Sequence, residues 1–390
     1  PGSILRKEGC KMSKSTLVVH RELSSATAID FCVRANFTDS KHVNLVVGKS
    51  SMLEVYRLVD PKDAGLRGEL LLRMGTYRLF GNITSLSTIR MPGKPRDSLL
   101  LGFPDAKMSI VDFNPAENDL TTAHLFYGDD QKSKWAKRFD TVPDPIIRAD
   151  PQNRCAVMLA FDSVLFVFRF AKDSSTASAA AAAVAAAVTV KEEKGIAVKE
   201  EEQGSVEQLL LQKVALKEQE KSSAFLTETF SVSLQALGIH NIKDLEFLDG
   251  YADPSLLLLY EPKPTWAGRY AVSEHTCSVT SLSLSMATCT YSVVAACSNL
   301  PHPCFRLKPI PAPIGGALIF SANHVLHFNH QTVDSGLSTN EFGDRYKHVD
   351  VESTDEVLSL DGCQATFLAS NELLVGCQDG RLYLLTVFHQ

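Results

Sequence analysis

The sequence predicts an all-β fold, a seven-bladed β-propeller. An apolar hairpin recurs along the chain, and most copies start 54–61 residues apart. In each copy the second strand alternates apolar and polar residues, as expected of a strand with one buried face. All-β units of roughly 40–50 residues that recur six or more times are typical of propeller blades. The alternative is a large β-sandwich, or two smaller sandwiches stacked together.

Each copy begins with a run of apolar residues, followed by a short turn and a second strand. The runs start at Leu45, Leu99, Val157, Leu256, Ala317 and Leu373. The four leucines from Leu256 fit a strand buried on both faces. In the last copy the turn contains Asp379-Gly380, and glycine tolerates the positive φ of a tight hairpin. An early apolar strand at residues 16–19, added to these six copies, indicates seven blades. The Gly-His and Trp-Asp marks of WD repeats are absent, so the propeller is of a non-WD type.

One segment interrupts the repeat. Residues 171–224 contain an alanine-rich tract followed by a lysine- and glutamate-rich tract, a composition that cannot bury enough apolar surface to fold. We predict a disordered insertion in a loop between two blade strands. The alternative is a short helix, capped at Ser205, that docks a partner. Residues 16–390 are predicted to form the propeller. Residues 1–15 are interpreted as a leader or cloning tail, because the chain starts with proline and Met12 is a natural start.

Composition narrows the functional classes. The 390 residues include 39 Lys and Arg against 45 Asp and Glu, a net charge of −6, which does not favour binding to nucleic acid. The nine cysteines form no Cys-x-x-Cys pair, which indicates reduced thiols in a cytosolic or nuclear protein. The sequence has neither a secretory signal nor an apolar stretch long enough for a membrane span.

No catalytic motif is present, whether a P-loop, Gly-x-Ser-x-Gly, His-Glu-x-x-His or a calcium loop. His324, His327 and His330 alternate between the faces of a strand, so three ligands cannot converge without a bend. The same-face pairs His275 with Cys277 and His302 with Cys304 are weak metal signals. We therefore expect no catalytic residue, metal, cofactor or small-molecule substrate.

A basic and aromatic cluster is the candidate site for contact with RNA. Its residues are Lys132, Lys134, Trp135, Lys137 and Arg138. Cations interleaved with aromatic rings can hold single-stranded RNA through phosphate contacts and stacking. Acidic residues at positions 129, 130 and 140 partly cancel this field, and the alternative is a solvated loop between blades. A second basic turn, at residues 90–96, is interpreted as a blade loop.

Several segments, taken in order, resemble a known family. They include Arg-Asp-x-Leu-Leu-Leu at 96–101, Asp-Pro-x-x-Arg-Cys at 150–155, Thr-Trp-x-Gly-Arg at 265–269 and Pro-Ile-Gly-Gly at 313–316. Together they closely resemble the N-terminal region of the largest subunits of cleavage and polyadenylation specificity factor. The wider group includes the large damaged-DNA-binding protein and a branch-site splicing factor subunit. The resemblance covers roughly residues 16–390 except 171–224.

The resemblance implies the first propeller of a multi-propeller, non-enzymatic scaffold in the nucleus. Such a scaffold organises the subunits that recognise the AAUAAA signal in pre-mRNA 3′-end cleavage and polyadenylation. Its expected partners are other polyadenylation-factor subunits, with pre-mRNA contacted mostly through the complex. The alternatives are a propeller adaptor of a cullin ubiquitin ligase related to damaged-DNA binding, a splicing-factor relative, and, from another class, an enzyme that uses the central channel.

Overall fold

A computed structural model describes residues 3–6, 17–20, 27–59, 71–128, 143–170, 226–354 and 357–388. Over these residues the chain is all-β, with one short α-helix, α1 (Ala267–Tyr270), and two 3-10 turns, Gln235–Leu237 and Gly343–Arg345. The strands form six sheets arranged as successive blades, together with one separate two-stranded sheet. The predicted β-propeller class is confirmed.

The strands follow chain order within the blades. The two-stranded sheet is β1 (Ser3–Arg6) with β2 (Leu17–His20). Blade 1 is β3 (Phe31–Ala35), β4 (Asn44–Lys49), β5 (Met52–Leu58) and β6 (Leu71–Arg78). Blade 2 is β7 (Ser85–Ile89), β8 (Ser98–Phe103), β9 (Lys107–Asn114) and β10 (Asp119–Tyr127). Blade 3 is β11 (Ile146–Ala149), β12 (Cys155–Ala160), β13 (Val164–Phe170) and β14 (Leu226–Ser233).

The remaining three blades vary in size. Blade 4 is β15 (Ile242–Leu248), β16 (Ser255–Tyr260), β17 (Cys277–Ser285) and β18 (Thr290–Leu300). Blade 5 is β19 (Cys304–Pro309), β20 (Ala317–Ser321), β21 (His324–Asn329), β22 (Thr332–Ser338) and β23 (Asp350–Ser353), the last of which pairs in parallel with β22. Blade 6 is β24 (Gln364–Phe367), β25 (Glu372–Gly376) and β26 (Leu382–Thr386).

The prediction of seven blades was wrong, since the described residues form six. Each of the six apolar runs found in the sequence supplies the second strand of one sheet. The early strand, counted as a sign of a seventh blade, instead pairs antiparallel with β1. A short apolar run such as Leu17-Val18-Val19 does not by itself identify the partner strand, so the sequence did not distinguish these two pairings.

The second strand of a blade is buried on both faces, as the leucine run in blade 4 demonstrates. Leu256 and Leu258 pack into the apolar core shared with blade 3, whereas Leu257 and Leu259 pack into the core shared with blade 5. All four side chains are fully buried. Comparable cores lie between blades 1 and 2, 2 and 3, and 5 and 6.

The tight turns carry glycine where the backbone demands it. Gly380 has a φ of 86°, as its hairpin position requires. In the turn between β19 and β20, Gly316 has a φ of 77°, and a Cβ added there would lie 2.3 Å from the carbonyl oxygen of Phe328. The Pro-Ile-Gly-Gly segment therefore admits no side chain at its last position.

The insertion predicted at 171–224 lies outside the described residues. The segment 171–225 joins β13 to β14, which are adjacent antiparallel strands of blade 3. Its disorder and the domain boundaries at residues 15 and 16 stay predictions.

The loops between the first and second strands of blades 1 to 5 link neighbouring blades, and we call this set the first-loop ring. The Asn36 backbone N–H donates to Asp97 at 2.7 Å, joining blades 1 and 2. The Arg90 N–H donates to the side chain of Asn153 at 2.8 Å, joining blades 2 and 3. Farther round, the Ala312 N–H donates to the carboxylate of Asp249 at 3.1 Å, joining blades 4 and 5.

Arg154 makes the link between blades 3 and 4. Its guanidinium donates to the carbonyl oxygens of Tyr251 and Ala252 at 2.9 and 2.6 Å. It also pairs with Asp150 through its Nε at 2.8 Å. Asp150 is only 2% exposed, so this carboxylate depends on Arg154 for compensation of its charge.

A second group of charges joins three blades through their first strands. Arg148 on β11 donates to Glu246 at 2.7 Å and to Asp244 at 3.0 Å, both on β15. The other carboxylate oxygen of Asp244 accepts the backbone N–H of Leu307 on β19 at 2.9 Å. Burial raises the pKa of Glu246, and the nearby Arg148 opposes that rise.

We predict that Arg154→Met destabilises the fold by about 3–5 kcal/mol, because it leaves Asp150 buried and unpaired. The measurement is denaturant unfolding at neutral pH. Arg381→Met is the matched control, because the pair of Arg381 with Asp379 is largely exposed and is expected to contribute less than about 1 kcal/mol. Equal losses in the two variants would contradict a structural role for the Arg154 link.

Candidate interaction surface

The cluster predicted to contact RNA lies outside the described residues. Lys132, Lys134, Trp135, Lys137 and Arg138 all fall within the segment 129–142. Their contact with RNA stays a prediction. The basic turn at 90–96 is described, and there Arg90 pairs with Asp97 at 2.8 Å while Lys94 pairs with Asp112.

The three histidines spaced by three have different neighbours. His324 is 3% exposed, and its Nε2 lies 2.8 Å from the carbonyl oxygen of Gly343. His330 contacts the Tyr251 hydroxyl at 2.5 Å, one more link between blades 4 and 5. His327 lies 4.0 Å from a carboxylate oxygen of Asp334. Across the described ranges, no group of three or more His, Cys, Asp or Glu residues could hold a metal ion.

The loop between β16 and β17 in blade 4 folds around Glu261, which is 3% exposed. Its carboxylate accepts hydrogen bonds from Thr265 and Thr276, and Lys243 lies 3.5 Å away. Burial raises the pKa of Glu261. The two hydroxyls, Lys243 and His302 have the larger combined effect, so the pKa of Glu261 is lowered overall. The carboxylate therefore stays ionised and holds both ends of the loop.

This loop presents aromatic and apolar side chains to solvent. Trp266 is 67% exposed and immediately precedes α1. Tyr270, at the end of α1, is 42% exposed, and its ring lies 5.7 Å from that of His302. Arg269 is not free to extend, because its guanidinium donates to the carbonyl oxygens of Lys263 and Pro264.

A second loop, between β22 and β23 of blade 5, presents another aromatic ring. The Asn340 side-chain oxygen accepts the backbone N–H groups of Phe342 and Gly343 at 3.1 and 3.2 Å. Phe342 is 66% exposed, and the Arg345 guanidinium lies 5.5 Å from the centre of its ring. A Cβ on Gly343 would lie 2.3 Å from the hydroxyl of Ser338, so the turn is tightly packed beneath the exposed ring.

The two loops meet through ring contacts that involve the buried Tyr346, the half-buried His275 and the exposed His348. His275, from the blade 4 loop, lies 5.0 Å from Tyr346 and 4.8 Å from His348 in the blade 5 loop. Tyr346 is 4% exposed, and its hydroxyl donates to the carbonyl oxygen of Asn299. We call the surface carried by these joined loops the aromatic surface, made of Trp266, Tyr270, Phe342 and Arg345.

The aromatic surface bears charges of both signs. Its two loops carry four cations, Lys263, Arg269, Arg345 and Lys347, and four anions, the buried Glu261 and the exposed Glu274, Glu341 and Asp344, so the formal charge is 4 − 4 = 0. Exposed tryptophan, tyrosine and phenylalanine rings beside arginine are typical of protein-binding surfaces. A strongly positive field, which phosphate binding needs, is absent from these two loops.

Sequence reasoning missed most of this surface. Trp266 was noted only within a segment of family resemblance, and neither Tyr270 nor Phe342 stood in any motif. Four of the eight described cysteines are buried, three are half-buried and Cys32 is exposed, and all eight are free thiols. Among the described helices, none has the length and apolar character to cross a membrane.

The described residues define a β-propeller whose blades 4 and 5 carry exposed aromatic rings. A family model described as the RSE1/DDB1/CPSF1 first beta-propeller matches residues 28–390. The chain belongs to this family, as the resemblance predicted.

Individual relatives are similar over nearly the whole chain. Cleavage and polyadenylation specificity factor subunit 1 of Drosophila melanogaster is 31% identical over 384 residues, which cover 94% of this chain and 24% of the relative. The Arabidopsis thaliana protein of the same name is 27% identical and covers 89% of this chain and 23% of the relative. Protein cft1 of Neurospora crassa is 26% identical, and the match covers 98% of this chain and 25% of the relative. The chain thus spans about a quarter of the length of these relatives.

Proposed function

We propose that the chain is a non-enzymatic scaffold propeller of the nuclear machinery for pre-mRNA 3′-end cleavage and polyadenylation. The observation that carries the proposal is the aromatic surface, together with relatives whose name is cleavage and polyadenylation specificity factor subunit 1. In this role the propeller organises other polyadenylation-factor subunits, including those that read AAUAAA.

The exposed rings favour a protein as the direct partner. Hot spots of protein interfaces are enriched in tryptophan, tyrosine and arginine, and Trp266, Tyr270 and Arg345 provide all three. Each ring stands on a loop whose base is fixed by hydrogen bonds, which are to the buried Glu261 in one case and to the half-buried Asn340 in the other. A rigid surface loses little conformational entropy on binding, which favours affinity.

The charged groups between the blades argue against an enzyme, because they bind one another and the backbone. Arg148, Asp244 and Glu246 bind one another and the backbone of Leu307, and Asp150 is bound by Arg154. These charges join blades, whereas a catalytic pair leaves one group directed at a substrate. The alternatives with the same fold are a cullin ubiquitin-ligase adaptor and a splicing-factor relative, which differ in partners.

We predict that Trp266→Ala combined with Phe342→Ala lowers the capture of polyadenylation-factor subunits from nuclear extract by on the order of 30-fold, the effect of losing about 2 kcal/mol at a hot spot. Phe80→Ala is the matched control, because Phe80 is fully exposed outside the two loops and its removal should leave capture unchanged. Thermal unfolding should be the same for all variants. Capture of cullin-ligase or splicing components instead would overturn the assignment, as would equal capture by the double variant and the parent.

We also predict that the chain alone binds RNA weakly and with strong salt dependence. Phosphate contacts do not discriminate between sequences, and the chain's net charge is −6. Titration at near-physiological salt should give similar affinities for an AAUAAA RNA and a scrambled hexamer, and Trp135→Ala should not alter their ratio. A preference for AAUAAA above about tenfold, or about 1.4 kcal/mol, that disappears in Trp135→Ala would mean that the propeller itself reads the signal.

A further inference from the structure

The two rings of the blade 4 loop stand on a single helical turn. Trp266 immediately precedes α1 and Tyr270 ends it, and the Tyr270 backbone N–H donates to the Trp266 carbonyl oxygen at 2.9 Å. Residues four apart on such a turn are neighbours on its surface. Because both rings are exposed, they offer adjacent apolar faces to one ligand.

Five backbone carbonyl oxygens of this loop already accept hydrogen bonds. The Arg269 guanidinium donates to those of Lys263 and Pro264. The carbonyl oxygens of Trp266, Ala267 and Arg269 accept backbone N–H groups from α1 and the turn that follows it. The loop therefore offers little to a ligand that binds by donating its own N–H groups.

The polar tips of the exposed rings, by contrast, are open donors. An indole N–H only donates, and a tyrosine hydroxyl can also donate. Neither the Trp266 nor the Tyr270 side chain forms a hydrogen bond to another described residue. A Cβ added at Gly268 would lie 3.0 Å from the indole nitrogen, so the glycine leaves room beside this N–H. The Arg345 guanidinium, beside the Phe342 ring, supplies further donors.

The charge of the two loops favours a neutral ligand. Their formal charge is zero, and two of their carboxylates are held internally. Glu261 accepts the Thr276 hydroxyl, and Asp344 accepts the Ser353 hydroxyl at 2.7 Å. A strongly acidic or basic peptide therefore gains little from charge pairing here, and RNA does not meet the positive field that its phosphates need.

A proline-rich segment fits the adjacent apolar faces, the open donors and the absence of net charge. Proline has no backbone N–H, so such a segment presents carbonyl acceptors without competing donors. In the polyproline II conformation the backbone makes no internal hydrogen bonds, which leaves these carbonyl oxygens free to accept. Proline-rich segments dock on aromatic surfaces, and because they are extended before binding they lose little conformational entropy.

We propose that the aromatic surface binds a neutral, proline-rich segment of a partner protein in the polyproline II conformation. Proline rings lie against Trp266 and Tyr270, and carbonyl oxygens of the segment accept hydrogen bonds from the indole N–H and the tyrosine hydroxyl. Phe342 and Arg345 extend the same surface for residues farther along the segment. This inference rests on the proposed function, because it names the kind of segment by which a partner subunit is held.

The test is a titration of the whole folded chain against short dye-labelled peptides with capped ends, followed by fluorescence anisotropy. The probe is a proline peptide of about ten residues, which spans about 30 Å as polyproline II. Two control peptides have the same length. One alternates alanine with serine, and the other alternates proline with glutamate. We expect the proline peptide to bind at least about tenfold more tightly than either control.

Variants of the chain separate the ring contacts from the hydrogen bonds. Trp266→Ala should weaken binding of the proline peptide by on the order of tenfold. Tyr270→Phe keeps the ring and removes only the hydroxyl, so it should weaken binding by about fivefold, the effect of one net hydrogen bond. Phe80→Ala, at a fully exposed ring outside the two loops, is the matched control and should bind as the parent does. Thermal unfolding should be the same for all three variants, because these side chains are exposed.

Three results would overturn the proposal. In the first, either control peptide binds as tightly as the proline peptide. In the second, Trp266→Ala or Tyr270→Phe binds the proline peptide with parental affinity. In the third, a single-stranded RNA oligonucleotide binds more tightly than the proline peptide and loses this affinity in Trp266→Ala.

Competition in nuclear extract distinguishes this inference from the proposed function. An excess of the proline peptide should release the polyadenylation-factor subunits that the chain captures. Subunits that stay bound in this excess, but are lost in Trp266→Ala, would contradict the proline-rich segment and leave the scaffold role intact. Binding of the proline peptide without capture of any subunit would support the ligand class and contradict the scaffold role.

Discussion

The contact between neighbouring blades is the constraint on which the rest of the structure depends. Each inner blade is a sheet that must bury both faces, so it has no core of its own and is stable only against its neighbours. Apolar packing supplies most of the surface that is buried between blades, as Leu256 to Leu259 do. Apolar contacts alone, however, do not fix the orientation of one sheet on the next. Directional bonds do, and in this chain they run from Asn36 to Asp97, from Arg154 to Tyr251, and from Ala312 to Asp249.

Most segments of the family resemblance lie away from the aromatic surface, although Thr-Trp-x-Gly-Arg at 265–269 contains Trp266. Asp150 and Arg154, within one motif of that resemblance, link blades 3 and 4, and the Pro-Ile-Gly-Gly turn is packed too closely for a side chain at Gly316. These two segments maintain the propeller, one through a link between blades and the other through a tightly packed turn. In the proposed function, partner binding belongs to the exposed loops that bear Trp266 and Phe342.

Most of the fold could be predicted from the sequence, because burial on both faces leaves a run of apolar residues that repeats with each blade. The number of blades could not, since the strand at Leu17–His20 has the pattern of a blade strand and pairs elsewhere. The aromatic surface was also beyond sequence reasoning. The loops that carry its rings at 266 and 342 are joined by the contacts of His275 with Tyr346 and His348, which lie far from it in sequence.

Native-state hydrogen exchange tests most directly whether the first-loop ring joins the blades into one cooperative unit. The amides to follow are Asn36, Arg90 and Ala312, each of which donates to a side chain of another blade. They are predicted to exchange as slowly as amides of the second strands, in one step with global unfolding. The amide of Ala116, bonded to Asn114 within its own exposed turn, should exchange much faster. Exchange of the three ring amides at the rate of Ala116 would contradict the claim.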